Sequence, residues 1–171
     1  MVAAEQPLRA VIHQGTVEAV LAARLSQINP APYRQGGVLD VLAEGSYPLT
    51  PHAESATLSH LAFTVDVIDS QNTGRRSQQT SIEVLSEVQI TLCYHLRIGS
   101  DDGLHDKRQS LKLCADVVAA VCHRQEPTWP PAGIVSVQPD RIGRLVTLRD
   151  PSYLLRVVTL QIRHDLPLTP L

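Results

Sequence analysis

The most constraining feature of the sequence is a long alternation of apolar and polar residues between Ile82 and Leu96. Its apolar side comprises Ile82, Val84, Val88, Ile90, Leu92, Tyr94 and Leu96. A period of two residues places these side chains on one face of an extended strand. Ser86 interrupts the apolar side, while Leu85 and Cys93 interrupt the polar side. The sequence therefore predicts a long strand whose second face is also partly covered.

A second strand is predicted from Thr57 to Ile68, and a polar segment separates it from the first. Asp69 to Thr80 contains no apolar residue. Because such a segment has nothing to bury, we expect it to project as the mobile tip of one long hairpin. Arg75 and Arg76 lie in this tip, and paired guanidiniums bind carboxylates or phosphates. We therefore expect these two arginines to contact a partner.

Two helices are predicted, one on each side of the hairpin. The first runs from Thr16, a good N-cap residue, to Ile28, where Asn29-Pro30 ends the helical period. Apolar residues upstream continue the same period, so an earlier start is also compatible with the pattern. The second helix opens at Asp102 and runs to about Arg124, with an apolar stripe along one side.

The remaining segments are predicted to add short strands. Residues 30–56 are rich in proline and glycine, and only Val38 to Ala43 has the composition of a strand. Three strands are expected near the end of the chain, with a turn around Asp140 to Gly143 between the first two. The first of these strands begins at Ile134, the second spans Leu145 to Leu148, and the third spans Tyr153 to His164.

This order of elements predicts a fold of the α+β class. We expect an antiparallel sheet with a long β-hairpin and two helices packed on one face. The length of 171 residues suits one domain, so residues 1–171 are assigned to a single unit. No apolar run approaches the roughly 20 residues that cross a bilayer, and the N-terminus lacks the pattern of a secretory signal. We therefore expect a soluble protein made and kept in a cytoplasm.

Composition argues against a dedicated nucleic-acid binder. The formal net charge is −2, and the chain contains one Trp, one Phe and four Tyr. A basic face and several stacking aromatics are typical of proteins that grip nucleic acids. The three cysteines have no paired short spacing, so we expect reduced thiols rather than a disulfide framework.

The nearest approach to a catalytic or metal site is the acidic cluster Asp101, Asp102, His105 and Asp106. Three carboxylates and an imidazole are plausible ligands for a divalent cation. Acids at the start of a helix also satisfy its backbone amides and oppose the positive end of its dipole. We favour capping, and since phosphate loops and hydrolase or zinc motifs are absent, we predict no enzyme activity, cofactor or metal.

Two further groups contain residues that serve as ligands or bases in other proteins. The first comprises Cys114, Cys122 and His123, and the second comprises His60, His95 and His164. The cysteines lie on the packing stripe of the second helix, so we interpret them as core thiols. The histidines lie on predicted strands without a recognisable partner motif, so we interpret them as surface or core residues rather than bases.

Three segments taken together carry a family resemblance. They are Glu83 to Arg97, Arg108 to Val121 and Tyr153 to Arg163. Their pattern, in the order helix, long hairpin, helix and final strands, resembles bacteriophage tail terminator (tail-completion) proteins from about Thr16 to Leu166. Residues 30–56 and the Trp129-Pro-Pro stretch do not align with that pattern, which leaves a related neck or tail-joining subunit open.

The resemblance implies a structural virion protein without catalytic residues. Such proteins form six-membered rings that cap the tail tube and supply the surface where the head or neck attaches. The expected partners are further copies of the chain, the tail tube protein, a neck or head-completion protein and, less strongly, DNA passing through the lumen. The expected location is the head–tail junction of the virion, after assembly in the host cytoplasm. No membrane contact is expected.

Two alternatives belong to other functional classes. One is a small metal-dependent hydrolase or nucleotide-processing enzyme that uses Asp102, His105 and Asp106. The other is an adaptor domain that binds one partner outside any phage.

Overall fold

The fold comes from a computed structural model that describes residues 12–28, 40–41, 60–78, 80–123, 128–148 and 150–168. The helices are α1 (Gln14–Leu25) and α2 (Asp102–Cys122). The strands are β1 (Asp40–Val41), β2 (Ala62–Gln78), β3 (Ser81–His95), β4 (Ile134–Thr147) and β5 (Tyr153–Pro167). Neither of these helices is both long and apolar enough to cross a membrane.

The strands form one sheet in the order β1-β2-β3-β5-β4. β2, β3, β5 and β4 pair antiparallel, and β2 and β3 form the long hairpin. β1 adds a two-residue parallel pairing beside the start of β2. The predicted α+β class, with an antiparallel sheet and a long hairpin, is therefore confirmed.

The core lies between one face of the sheet and both helices. Its sheet side includes Phe63, Val88, Ile90, Leu92, Tyr94, Val158, Leu160 and Ile162, and its helix side includes Val17, Leu21, Leu25, Leu113, Val117 and Val121. The helix residues recur every four positions, which places them on one stripe of each helix. Burying each such side chain contributes about 1.5–3 kcal/mol. The prediction that both helices pack on one face is confirmed.

The opposite face of the sheet is also partly buried, as the interruptions in the alternation indicated. Cys93 of β3 and Leu155 of β5 are buried there with Ala62 and Leu148. Val146 and Tyr153 pack against this smaller cluster. The central strands therefore carry apolar side chains on both faces, as strands covered on both sides do.

The prediction that Asp69 to Thr80 forms a polar loop is wrong. β2 continues through Gln78 and pairs with β3 as far as Gln78 opposite Ser81. The backbone hydrogen bonds of a sheet do not require apolar side chains, so a wholly polar segment can extend a strand whose side chains are mostly exposed. Ser70 and Ser86 add a hydroxyl contact of 2.7 Å across the two strands. Gln79 itself lies outside the described residues.

A bulge in β2 replaces the expected loop. The register shifts between Asn72 and Arg76, and Gly74 has a φ of +76°, which glycine adopts at little cost. The Gly74 amide donates to Oδ1 of Asn72 at 2.8 Å, and the Thr73 hydroxyl donates to the Glu83 carbonyl at 3.1 Å. These side-chain contacts stabilise a local irregularity in the strand. The amino-acid composition of this segment resembles that of a turn.

The expected turn at Asp140 to Gly143 is also wrong, because β4 is one continuous strand. Its pairing with β5 absorbs three register shifts, including one beside Pro139 and one around Gly143. Proline and bulges are tolerated at a sheet edge, where one side of the strand needs no partner. Gly143 has a φ of +78°, and a Cβ there would lie 3.2 Å from Leu111 Cδ2.

The helix ends differ from their predicted positions by a few residues. α1 starts at Gln14, with His13 rather than Thr16 at the N-cap, and ends at Leu25 rather than Ile28. α2 starts at Asp102, as predicted, and ends at Cys122, while Arg124 lies outside the described residues. Helix termini are the least defined parts of a periodic pattern.

The end of α2 is held against α1 by an indole. The Trp129 Nε1–H donates to the Val121 carbonyl at 2.8 Å. Arg24 of α1 lies over the Trp129 ring at 5.2 Å from its centre and donates from Nε to the Ala120 carbonyl at 3.0 Å. A guanidinium over an indole face is a favourable cation–π contact. The segment that follows α2 therefore joins the two helices.

A carboxylate pair lies where α1 meets the outer edge of β2. Glu18 Oε1 accepts the Val67 amide at 2.8 Å, which satisfies a backbone donor that faces away from β3. Asp66 is half-buried nearby and accepts the Thr64 hydroxyl at 3.2 Å. Burial, and then the charge of Glu18, raise the pKa of Asp66 to about 6. This raised pKa makes Asp66 a source of pH-dependent stability.

Replacing Asp66 with Asn should stabilise the protein at about pH 7. The folded state favours the protonated Asp66 carboxyl, so the wild type loses stability as the pH rises from 3.8 to about 6. Asn keeps an acceptor for Thr64 without a charge. We expect the free energy of unfolding to rise by on the order of 1 kcal/mol, since solvent screens a half-buried group.

Urea unfolding at several pH values measures this effect. The gain should shrink as the pH falls, because the wild-type carboxyl then becomes protonated. Asp69→Asn, which changes an exposed carboxylate on the same strand, should alter the free energy by less than about 0.5 kcal/mol. A pH-independent difference, or no gain, would contradict the assigned environment of Asp66.

Candidate functional site

The acidic cluster at the start of α2 is organised around Arg97, which follows β3. Asp106 is fully buried and accepts two hydrogen bonds from the Arg97 guanidinium. Arg97 Nε donates to Asp106 Oδ2 at 3.1 Å, and Arg97 Nη2 donates to Asp106 Oδ1 at 2.8 Å. The Arg97 amide also donates to Asp106, at 2.9 Å. Asp102 lies 2.9 Å from Nη1 of the same guanidinium. These contacts raise the pKa of Arg97, mainly through its hydrogen bond to Asp106.

The predicted capping role is only partly correct. Asp101 occupies the N-cap position but makes no capping hydrogen bond, and Asp102 lies in the first turn. Instead of binding the amides of the helix, Asp106 binds the amide and guanidinium of Arg97. The acids therefore join the start of α2 to the end of β3.

The arrangement does not bring His105 together with the two carboxylates that were considered with it as metal ligands. His105 is exposed and lies 3.3 Å from the Gln109 side chain, while Asp102 and Asp106 face Arg97. Within the described ranges, no three His, Cys, Asp or Glu side chains form a group that suits a metal ion. The metal-dependent enzyme stays an alternative hypothesis, in which a cation would compete with the Arg97 guanidinium for Asp102 and Asp106.

The cysteines of α2 have the environment of packed side chains. Cys114 is buried, and its thiol donates to the Ser110 carbonyl at 3.3 Å. Burial raises the pKa of Cys114 to about 11 and also raises the pKa of Cys122, which is half-buried. His123 is exposed at the end of the helix. Thiols that resist ionisation are poor nucleophiles and poor metal ligands, in agreement with the core interpretation.

Two of the three histidines make ring contacts at one end of the sheet. His60 precedes β2 rather than lying on a strand, and its ring meets the Tyr94 ring edge-on at 4.6 Å. His95, the last residue of β3, meets the Tyr153 ring at 4.8 Å. The His95 amide donates to Nδ1 of His60 at 3.2 Å. These contacts support packing roles.

His164 belongs to a buried polar chain that sequence analysis did not identify. Its Nε2 lies 2.9 Å from the Ser86 hydroxyl, and its Nδ1 lies 3.2 Å from the Ile12 carbonyl. Ser86 in turn meets Ser70. Burial lowers the pKa of His164, so its neutral form is favoured. Ser86 and His164 are both fully buried, which leaves no access for a substrate. The sequence feature that could have indicated this buried polar chain is Ser86, a polar residue on the apolar side of the alternation.

The two outer edges of the sheet are the surfaces most suited to binding another chain. Among the described strands, none pairs with the outer side of β4. On the outer side of β2, β1 pairs with Ala62 and Phe63, and Glu18 of α1 accepts the Val67 amide. Ile142 on β4 and Ile68 on β2 are each 54% exposed. A strand edge presents unpaired backbone groups that a further strand can bind. The bulges, Pro139 and the charges along β4 restrict that pairing to a matching partner.

Arg75 and Arg76 lie near the far end of the hairpin, within β2 rather than in a loop. Both side chains are exposed. Arg75 falls inside the bulge, and Arg76 pairs opposite Ile82. Neither forms an ion pair with a described carboxylate. Their role in contacting a partner stays a prediction, and the strand now gives them a defined position.

Removing the Arg97 guanidinium should destabilise the protein strongly. Arg97→Ala leaves the buried Asp106 carboxylate without its opposite charge, so the free energy of unfolding should fall by clearly more than in the control variant. Adding Asp106→Asn should restore part of the loss, because the pair is coupled. Lys112→Ala, which breaks an exposed ion pair with Asp116, is the control and should cost less than about 0.5 kcal/mol. Urea unfolding compares the variants.

The same preparation tests the metal alternative. Because both carboxylates already bind Arg97, adding Mg²⁺ or Mn²⁺ should leave the Tm of the wild type unchanged. A metal-dependent rise in Tm that is lost in Asp102→Asn would instead favour a cation at this cluster.

Comparison with known proteins leaves the chain without an assigned family. No protein-family model matches the sequence, and no curated protein matches it either.

Proposed function

We propose that this protein is a structural subunit of a bacteriophage tail that assembles into a ring at the head–tail junction. The ring caps the tail tube and presents the surface to which a neck or head-completion protein attaches. The fold order on which the resemblance depends, a helix, a long hairpin, a second helix and final strands, is also the order of the described elements.

The observation that carries the proposal is the pair of outer edges on one sheet. β4 lies at one end of the strand order, and β2, with its short β1 partner, lies at the other. If the β4 edge of one copy binds the β2 edge of the next, the contact is heterologous and repeats around a ring. The exposed side chains Ile142 and Ile68 supply apolar surface at the two edges. The rotation between neighbouring copies sets the number of subunits, and the family resemblance implies six.

The rigid backing of the sheet suits such a ring. β3 and β5 pair along their whole length, and both helices pack on one face. A joining subunit must hold its two binding edges at a constant angle, because small changes in that angle prevent closure. The exposed Arg75 and Arg76 at the far end of the hairpin provide a cationic surface for acidic groups of the adjacent layer.

Single charges at the two edges test the ring directly. Ile142→Asp on β4 and Ile68→Asp on β2 should each abolish the oligomer, as measured by sedimentation velocity, without unfolding the subunit. Mixing the two variants should give dimers but no ring, because each variant retains one intact edge. Leu104→Asp, which changes a side chain that is 59% exposed and lies on α2 instead of an edge strand, is the control and should still form rings.

Two results would overturn the proposal. One is wild-type protein that stays monomeric both alone and with tail tubes. The other is an oligomer that survives both edge charges, which would place the contact on another surface.

The arginine pair is tested separately from ring formation. Arg75→Ala with Arg76→Ala should change the free energy of unfolding by less than about 0.5 kcal/mol, since both side chains are exposed. Attachment of the ring to tails or necks should fall, as measured by co-sedimentation. Arg108→Ala with Lys112→Ala on the outer face of α2 removes the same charge and should leave attachment intact. Unimpaired attachment by the first variant would show that the arginines have no such role.

A further inference from the structure

An apolar cavity lies beside the start of α2, between the end of β4 and the start of β5. It has a volume of about 280 Å³ and opens to solvent. Its lining comprises Leu96, Leu145, Leu148, Pro151, Tyr153 and Leu154, together with the cations Lys107 and Arg156. Ligand sites are typically apolar pockets with a few fixed polar groups. The cavity has this composition, and both of its charged groups are positive.

Arg156 is the unusual member of the lining, because it is only 9% exposed. Its Nε donates to the Ser110 hydroxyl at 3.1 Å, and its Nη1 donates to the Gly143 carbonyl at 3.1 Å. The Ser110 hydroxyl itself donates to the Lys107 carbonyl at 2.7 Å, so the contacts hold the guanidinium in one orientation. Within the described part of the chain, no carboxylate pairs with Arg156, and its Nη2 makes no hydrogen bond. A buried charge with only neutral partners is costly.

We infer that this cavity binds a small aliphatic carboxylate, with the carboxylate on Arg156 and the hydrocarbon chain against the leucines. A guanidinium presents parallel donors that match the two oxygens of a carboxylate. Lys107, at the start of α2, adds a second positive charge on the cavity wall. The leucine and tyrosine side chains provide the surface for the hydrocarbon.

The size of the cavity limits the ligand. A cavity of about 150 Å³ holds one benzene molecule, so 280 Å³ has room for on the order of ten non-hydrogen atoms. Octanoate has this size and chemistry. Nucleotides and other large cofactors exceed it, since their sites lie higher in the usual range of about 300–1,000 Å³.

Calorimetric titration of the full-length protein with octanoate tests the inference, with thermal melts as a second measurement. Octanoate should bind and raise the Tm. Octanol, which has the same chain without the charge, should bind at least about tenfold more weakly. Shortening the carboxylate should weaken binding by about fourfold for each methylene removed.

Two variants separate the charge from the cavity. Arg156→Met should weaken octanoate binding by about tenfold or more and bring it close to that of octanol. Because Arg156 also holds Ser110 and Gly143, this variant can lose stability. Leu145→Trp therefore provides a second test, since it fills the cavity from a half-exposed position while Arg156 stays in place. It should abolish binding without unfolding the protein.

The inference fails if octanoate produces no heat and no change in Tm, if octanol binds as well as octanoate, or if both variants bind like the wild type. Leu168→Trp, which adds the same bulk at an exposed position beyond the opposite end of β5, should not affect binding. Sedimentation of the same samples separates the two proposals, because ligand binding does not depend on whether the protein forms a ring.

Discussion

The continuous pairing of β3 with β5 is the constraint on which the other features depend. The two strands are in register from Ser81 opposite Pro167 to His95 opposite Tyr153, without a bulge. Because successive side chains alternate between faces, a slip of one residue would move every core side chain to the wrong side of the sheet. The helices, the hairpin and the edge strand β4 are all arranged around this pair.

This register also determines where the buried polar groups meet. Ser86 and His164 lie on the helix-facing side of β3 and β5, and the chain that links them reaches Ile12 just before α1. Arg156 lies on the same side of β5, close to the first half of α2 and to Ser110. Each contact requires atoms from elements that are far apart in sequence. Buried polar groups of this kind need complete sets of partners, so they favour one arrangement over similar ones.

The sequence predicted those parts of the fold whose periodicity is local. The alternation from Ile82 to Leu96 identified β3, and the helical stripes identified α1 and α2 on one face. Asp69 to Thr80 has the composition of a loop, since strand prediction depends on apolar side chains, whereas the pairing there depends on the backbone and on a bulge at Gly74. Similarly, Pro139 and Gly143 resemble turn residues, although an edge strand accommodates them as bulges.

The candidate sites were harder to predict, because they depend on distant contacts. Asp106 was identified as part of an acidic cluster, but its partner Arg97 was not, since the pairing depends on how the chain leaves β3. Arg156 and His164 share the parity of Val158, Leu160 and Ile162, so the alternation already placed two polar groups on a buried face. The sequence therefore indicated that these two polar side chains are buried, but their partners could be identified only from the structure.

The contacts at the two ends of α2 attach that helix to two other elements of the fold. At its start, Asp106 binds Arg97, which follows β3. At its end, Trp129 binds the Val121 carbonyl, and Arg24 of α1 lies over the indole and binds the Ala120 carbonyl. One attachment is charged, and the other is an indole with a guanidinium. α2 therefore cannot swing away from the sheet or from α1 at either end without breaking one of these contacts.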